Sequence, residues 1–328
     1  MDAGADSPPG RRLRLPPPRP MKRAALAAGA HFPSEDARRP PVLPPACASA
    51  WGDDAYGLWI DVDLAGVVQR FRWIEPGEFM MGSPADEPER QEREGPRHRV
   101  RLTTGFWLAD TACTQALWLA VMGGDNPGAF QEDARNPVEN VSWDDVSGAG
   151  GFLQRVAALA PGVVAELPTE AEWEYACRAG SETPFNVGAT IGPEQANYDG
   201  NDPYAGGRTG EFRLKTVPVK SFAPNGWGLH EMHGNVWEWC ADGLREYADE
   251  TVEDPRGPEG EAPRVVRGGS WHGVAGGLRS ACRGGWLRAS RGVLLVVLGF
   301  RFALRSTSQE QGAGAERLPA ASGVARDA

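Results

Sequence analysis

The sequence lacks any apolar run of about 18 residues, the length that a membrane-spanning helix requires. Residues 21–30 combine a basic start with small side chains, but the stretch is too short and too weakly apolar for a signal peptide. Both observations favour a cytoplasmic protein without a membrane partner.

Cysteine is scarce and irregularly placed. The five residues lie at positions 47, 113, 177, 240 and 282, with no CxxC pair. An odd number without regular spacing predicts neither a disulfide framework nor a zinc site. The pattern favours reduced, mostly buried thiols.

Positive charge is also in short supply. The chain has 34 Lys and Arg against 44 Asp and Glu, a net charge of −10. An acidic surface repels phosphate backbones, so nucleic acid is excluded as a partner of the folded part.

Glycine and proline are abundant, at 42 and 28 residues. Residues 1–50 are rich in Pro and Arg, and residues 305–328 in Gly, Ala and Ser, so we expect both ends to be disordered. Between them, residues 56–304 form the expected single domain, which is loop-rich. Its twelve Trp residues are expected to hold a core with little regular structure.

Apolar periodicity predicts short strands and few helices, an α+β domain. Residues 56–62 and 67–74 alternate as two strands joined by a turn. Helices are predicted over residues 114–122, 142–159 and 169–178, with N-caps at Thr114, Ser142 and Thr169.

Several motifs recur in a fixed order along the chain. They include Trp73-Ile74-x-Pro76-Gly77, Asn136-Pro137-Val138, Leu167-Pro168-Thr169-Glu170-Ala171-Glu172-Trp173, Gly234-Asn235-Val236-Trp237-Glu238-Trp239, Arg267-Gly268-Gly269-Ser270-Trp271 and Leu298-Gly299-Phe300-Arg301. This ordered set resembles the sulfatase-modifying-factor, or formylglycine-generating-enzyme-like, family. The resemblance covers roughly 230 residues. It implies a C-type lectin fold of that family's type.

The resemblance also implies structural calcium sites. Carried over by position, the ligands would be the side chains of Glu231 and Glu238 with the carbonyls of Gly234 and Val236, and at a second site Asn197 with the Tyr198 carbonyl. Carboxylates and backbone oxygens suit Ca²⁺. The alternative is that Glu238 accepts hydrogen bonds from a neighbouring loop.

Two cysteines that the oxidising enzymes of this family use are missing. Those enzymes bind copper and exchange with a substrate thiol through a cysteine pair, and the matching positions here hold Gly273 and Leu278. We therefore expect no copper and no catalytic residue. Cys282 is the only thiol nearby, and an oxidoreductase acting on a protein cysteine through it is the alternative. The pair His230 and His233 has no third partner for the iron site of the sulfoxide synthases on this fold.

In the C-terminal third, residues that are expected for this fold alternate with residues that have no common chemical role. This pattern resembles the variable proteins of diversity-generating retroelements, in which adenine-directed codon changes rewrite a surface patch. The residues at the irregular positions are all reachable from an AAC or AAT codon in that way. The predicted ligand-binding set is Trp271, His272, Gly273, Val274, Gly276, Cys282, Gly284, Trp286, Leu287, Ser290, Val293, Leu294, Leu295 and Val296.

These observations predict a non-catalytic binding protein with a protein ligand at its C-terminal patch. The apolar run 293–297 would then be an exposed apolar surface that binds the ligand. Its alternative is a buried strand that continues into Leu298. A regulatory module without a variable patch is a further alternative.

Overall fold

The structure, a computed structural model, describes residues 30–31, 38–260, 262–286 and 296–307. Most of the predicted leader and tail lies outside these residues. Within them, Leu43 is fully buried and the Trp73 indole N–H donates to the Arg38 carbonyl at 2.8 Å. The folded domain thus includes residues ahead of position 56.

Short strands dominate the described residues. Their bounds are β1 Ala30–His31, β2 Val42–Leu43, β3 Ala50–Asp54, β4 Gly57–Leu64, β5 Val67–Ile74, β6 Gly77–Met81, β7 His98–Leu102, β8 Phe106–Ala109, β9 Val163–Glu166, β10 Trp237–Gly243, β11 Val252–Glu253, β12 Arg264–Arg267, β13 Arg283–Trp286, β14 Leu298–Gly299 and β15 Ala303–Ser306.

The strands form one large sheet and three smaller ones. The large sheet is antiparallel and has the order β3-β4-β5-β8-β15-β9. A four-stranded sheet has the order β13-β12-β10-β14, in which only the β10–β14 pair is parallel. The strands β11-β7-β6 form a third sheet, and β1 pairs with β2.

Four α-helices accompany the sheets in the described residues: α1 Gln115–Met122, α2 Trp143–Ser147, α3 Phe152–Leu159 and α4 Glu170–Arg178. The predicted N-caps are confirmed. Thr114 accepts from the Leu117 N–H, while Ser142 and Thr169 each form a full capping box. None of the helices in the described ranges has the length and apolarity to cross a membrane.

The prediction of a single helix over residues 142–159 is wrong. The structure has two helices there, α2 and α3. α2 ends where Gly148 turns to an extended conformation, and Gly150 has a φ of +73°. A left-handed φ is inexpensive only for glycine, so this glycine-rich stretch breaks the helix although the apolar spacing continues.

The main core lies between the large sheet and helices α1 and α3. The Trp118 ring stacks on Phe152 at 5.6 Å, and the edges of Phe300 and Phe302 meet the same Phe152 ring. Burying each such side chain contributes about 1.5–3 kcal/mol. The predicted role of tryptophan is confirmed, since Trp173 and Trp239 are fully buried.

Four framework arginines are buried with carboxylate partners distant in sequence. The pairs are Arg267 with Glu174, Arg279 with Glu94 and Glu87, Arg283 with Glu170, and Arg301 with Glu238. Each arginine lies in the C-terminal third, and each partner comes from helix α4, from strand β10 or from the loop before β7. These pairs fix the C-terminal third against the rest of the domain.

Candidate ligand-binding face

Two glycines turn the chain sharply after β12. Gly268 and Gly269 have φ values of +95° and +75°, and a Cβ at Gly269 would lie 2.6 Å from Leu278 Cδ1. Both the conformation and the space demand glycine. The turn brings Trp271 back against the GNVWEW strand, where its backbone N–H donates to the Asn235 carbonyl at 2.9 Å.

Trp271 forms the floor of an aromatic cluster. Its side chain is 7% exposed, and its indole N–H donates to the Val296 carbonyl at 3.0 Å. The ring meets Phe130 edge-on at 5.3 Å and lies 6.4 Å from Phe212. This bond fixes Val296 against the cluster.

Residues 272–274 form the exposed rim above this floor. His272 is exposed and packs edge-on against Trp271 at 5.2 Å, and the Val274 side chain is 40% exposed. Backbone bonds hold the rim, because the Asp199 N–H donates to the Gly273 carbonyl at 2.9 Å. Such bonds do not depend on which side chains the rim carries.

The structure separates the predicted ligand-binding residues into groups. Gly276 and Cys282 are buried, the first beneath the Glu89 side chain, so neither belongs to the face as predicted. Gly284 and Trp286 lie on β13, at the sheet edge opposite β14. Two intervening strands put the edges roughly 14 Å apart. Leu287, Ser290, Val293, Leu294 and Leu295 lie outside the described residues.

The glycines of this region differ in the space around them. A Cβ at Gly273 would meet nothing closer than 3.5 Å, and one at Gly277 nothing within 4 Å. At Gly284 the Val266 side chain would lie 2.9 Å away. Positions 273 and 277 therefore have room for a Cβ, whereas position 284 does not without a shift of Val266.

The positions of the family's cysteines offer no redox chemistry. Gly273 has no side chain, and Leu278 is fully buried against Phe185 and Tyr204. Cys282 is 2% exposed, and burial raises the pKa of its thiol to about 11. A thiol that stays protonated at neutral pH is a poor nucleophile and a poor copper ligand.

His230 and His233 do not form a metal pair. His230 contacts the Phe222 carbonyl at 3.0 Å through Nδ1. The His233 Nδ1–H donates to the Leu278 carbonyl at 2.7 Å, and its Nε2 accepts from the Asn186 N–H at 3.1 Å, so both nitrogens are occupied. The described residues hold no group of three or more His, Cys, Asp or Glu placed to bind a metal.

Sequence reasoning missed a buried cysteine–histidine contact. Cys177 Sγ lies 3.8 Å from His233 Nε2 and 3.7 Å from the Ser280 hydroxyl. Burial raises the pKa of Cys177 to about 12 and lowers that of His233 to about 4, so both stay neutral. The two residues are 56 positions apart, so sequence spacing gave no signal of the contact.

The first predicted calcium set does not fit a cation in this arrangement. Both Glu238 oxygens bind the Arg301 guanidinium, at 2.6 and 2.8 Å, and one also accepts from the Trp173 indole N–H at 2.7 Å. Glu231 accepts the backbone N–H groups of Lys220 and Phe222. Arg301 supplies the positive charge here, which favours the hydrogen-bonding alternative for Glu238.

The second calcium set keeps one available ligand atom. The Asn197 amide nitrogen donates to the Lys215 carbonyl at 2.8 Å and to Asn235 Oδ1 at 3.0 Å. Its buried Oδ1 has no hydrogen-bond partner within the described part of the chain. Calcium at Asn197 and the Tyr198 carbonyl stays a prediction.

Comparison with known proteins agrees with the fold and the motifs. Residues 65–306 match the model of the family described as the sulfatase-modifying factor enzyme 1-like domain. The chain is 38% identical over 174 residues to the formylglycine-generating enzyme of Thermomonospora curvata, covering 47% of this chain and 52% of that enzyme. It is 32% identical over 251 residues to that of Streptomyces coelicolor, covering 60% of this chain and 76% of that enzyme.

A solved structure extends the likeness. Treponema denticola variable protein 1 superposes with a TM-score of 0.60 at 25% identity, covering 75% of this chain and 99% of that chain. The predicted fold class, an α+β domain of the formylglycine-generating-enzyme type, is confirmed. The chain belongs to the sulfatase-modifying factor enzyme 1-like domain family.

Proposed function

We propose that this protein is a non-catalytic binding protein that holds a protein ligand at its C-terminal face. The carrying observation is that Gly273 and Leu278 stand where the family's oxidising enzymes have cysteines. The likeness to a Treponema denticola variable protein supports a display role for the same fold.

The contacts of the face suit display. Trp271 is fixed by the Asn235 and Val296 carbonyls, so its large ring is a rigid base with little entropy to lose on binding. His272 and Val274 project above it, on a backbone held from the loop at Asp199. Side chains there can change while the scaffold keeps its hydrogen bonds.

Chemistry separates this proposal from the oxidoreductase alternative. Purified protein would be incubated with copper, oxygen and a cysteine-containing peptide, and the peptide mass followed. We expect no aldehyde product and no loss of thiol beyond that in a protein-free control with the same copper and oxygen, because no thiolate is available at 273, 278 or 282. Conversion of the peptide cysteine at a catalytic rate would refute the proposal.

Genetics tests the display role. A diversifying gene has a nearby repeat that differs from its 3′ end only at adenines, beside a reverse transcriptase gene. We expect such a repeat to mismatch the codons of positions 272–274 and 287–297 and to match those of Trp271 and Arg279. If the gene has no such repeat, the variable-protein form of the proposal is wrong.

Binding itself is tested on the rim. Val274→Asp replaces an exposed apolar side chain of the rim by a charge and should abolish capture of a ligand selected from a displayed peptide or protein library. Val68→Asp is the matched control, since Val68 is 58% exposed on the β4–β5 hairpin of the other sheet. Equal capture by both variants would place the binding surface elsewhere.

A further inference from the structure

A second site lies away from the proposed face. An open cavity of about 690 Å³ is formed by residues 90–93, Gly95 and Pro96 of the loop between β6 and β7 and by Glu246 and Tyr247 after β10. Its lining includes neither the cysteine positions of the family nor any residue of the rim.

Tyr247 is one of the residues that line this cavity, and its buried hydroxyl is an unused donor. Its side chain is 7% exposed, and its ring lies 4.1 Å from the Arg283 guanidinium, 4.9 Å from that of Arg245 and 4.8 Å from the His98 ring. The hydroxyl has no hydrogen-bond partner among the residues that the structure describes. Burial raises the pKa of Tyr247 well above its ordinary value, so the hydroxyl keeps its proton and offers it to an acceptor.

Two arginines of the lining also leave donors unused. Within the described ranges, neither Arg90 nor Arg93 forms an ion pair, and the buried Arg90 Nε has no partner. The Arg93 Nε–H donates only to the Gln91 amide oxygen, at 2.8 Å. The neighbouring Arg283 instead has a bidentate bond to Glu170. A buried donor without an acceptor is destabilising, and a ligand that brings an acceptor would recover that cost.

We propose that this cavity binds a carboxylate group, held by Arg90 and the Tyr247 hydroxyl. A carboxylate offers two oxygens in the plane of a guanidinium fork. The exposed Glu92 and Glu246 also line the cavity and balance the charge of Arg90 and Arg93. A site with no net charge accepts a monoanion more readily than a phosphate dianion.

The carboxylate could come from a peptide C-terminus or from an acidic side chain, and four blocked peptides distinguish these sources. Acetyl-Ala-Ala-Ala carries only the terminal carboxylate, and acetyl-Ala-Glu-Ala-amide only the side-chain carboxylate. Acetyl-Ala-Ala-Ala-amide and acetyl-Ala-Gln-Ala-amide carry neither. Ligand-observed NMR and calorimetry on the full chain should detect at least one carboxylate peptide and neither neutral one. Inorganic phosphate should bind more weakly.

Two variants assign the binding to this cavity. Arg90→Gln and Tyr247→Phe should each weaken the carboxylate peptide about tenfold, the value of one charge-assisted hydrogen bond. Arg99→Gln, which removes an exposed arginine paired with Glu78, should leave the affinity unchanged. Tyr247→Phe keeps the stacked ring and removes a donor without a partner, so it should melt no lower than the wild type.

Three results would overturn the proposal. They are no carboxylate binding at 10 mM peptide (on the order of the weakest useful affinity), wild-type affinity in both cavity variants, or tighter binding of phosphate. None of them bears on the C-terminal face, so this site and the proposed function fail independently.

Discussion

Arg301 shows how single residues organise this domain. Its side chain is fully buried and is neutralised by Glu238, which the family resemblance assigned to calcium. The partners are 63 residues apart, so their spacing in the sequence does not predict the pair. Sequence reasoning placed Arg301 in a family motif and Glu238 at a calcium site but did not predict their contact, because a buried ion pair is a property of the folded topology.

Removing the negative charge of that pair should be costly. Glu238→Gln leaves the Arg301 guanidinium buried with a neutral partner, and we expect a loss of about 3–5 kcal/mol in the free energy of unfolding. Glu253→Gln is the control, because its exposed pair with Arg101 is worth less than about 1 kcal/mol. Urea unfolding is measured with calcium and with EGTA. A loss that appears only with calcium would mean that Glu238 is a metal ligand after all.

Thiol accessibility gives a second test at the residue scale. Cys47 is half-buried, whereas Cys113, Cys177, Cys240 and Cys282 are buried with raised pKa values. Iodoacetamide at pH 8 should therefore alkylate Cys47 alone in the native protein and all five thiols in urea. Mass spectrometry locates the label. Rapid native labelling of Cys282 would revive the oxidoreductase alternative.

At the scale of elements, the helix starts were predicted correctly because their sequence signal is local. Thr114, Ser142 and Thr169 begin helices as predicted, because a cap is set by residues three positions apart. The break between α2 and α3 was missed because apolar periodicity was weighed above the glycines at 148–151. Backbone conformation overrode side-chain pattern there.

The prediction at this scale concerns the turn after β12. Gly269→Ala would place a Cβ against Leu278 on a left-handed backbone, and we expect a loss of about 2–4 kcal/mol. Gly277→Ala is a close control, since it lies in the same segment with open space and no positive φ. Thermal unfolding of both variants measures the difference. Equal stability would show that the turn does not depend on glycine.

For the whole molecule, motif order predicted the fold better than composition did. Short motifs such as Arg267-Gly268-Gly269-Ser270 fix the local backbone conformation. Their order along the chain determines which sheets can form. The candidate face was predicted less well. Gly276 lies beneath Glu89, and Trp286 lies on the sheet edge opposite Val296. Tertiary contacts separate positions that look alike in sequence.

If the domain is a display scaffold, its stability should hardly depend on the rim. Changing His272, Gly273 and Val274 together to Ser, Ala and Thr should alter the free energy of unfolding by less than about 1 kcal/mol, because the side chains are exposed or have space. The Gly269→Ala variant is the comparison. A large loss in the free energy of unfolding of the triple rim variant would contradict a display role.

The whole domain should also lose stability between about pH 4.5 and pH 7 through Glu139. This carboxyl is fully buried, and burial raises its pKa to about 7, against the partly compensating N–H bonds of Ala129 and Phe130. A folded pKa above the unfolded one means that the folded state binds the extra proton. The stabilisation is therefore complete below about pH 4.5 and is lost as pH rises through 7.

The difference between wild type and Glu139→Gln isolates this group, since other titrations, including that of His233, cancel between them. From pH 5 to 8 the wild type should lose about 1–3 kcal/mol relative to the variant. Urea unfolding at four pH values measures the change, with Glu250→Gln as an exposed control. Because Phe130 packs on Trp271, the same titration reaches the candidate face, and ligand affinity at the rim should follow the same pH range. A difference between wild type and variant that does not vary with pH would show that Glu139 carries no proton in the folded state.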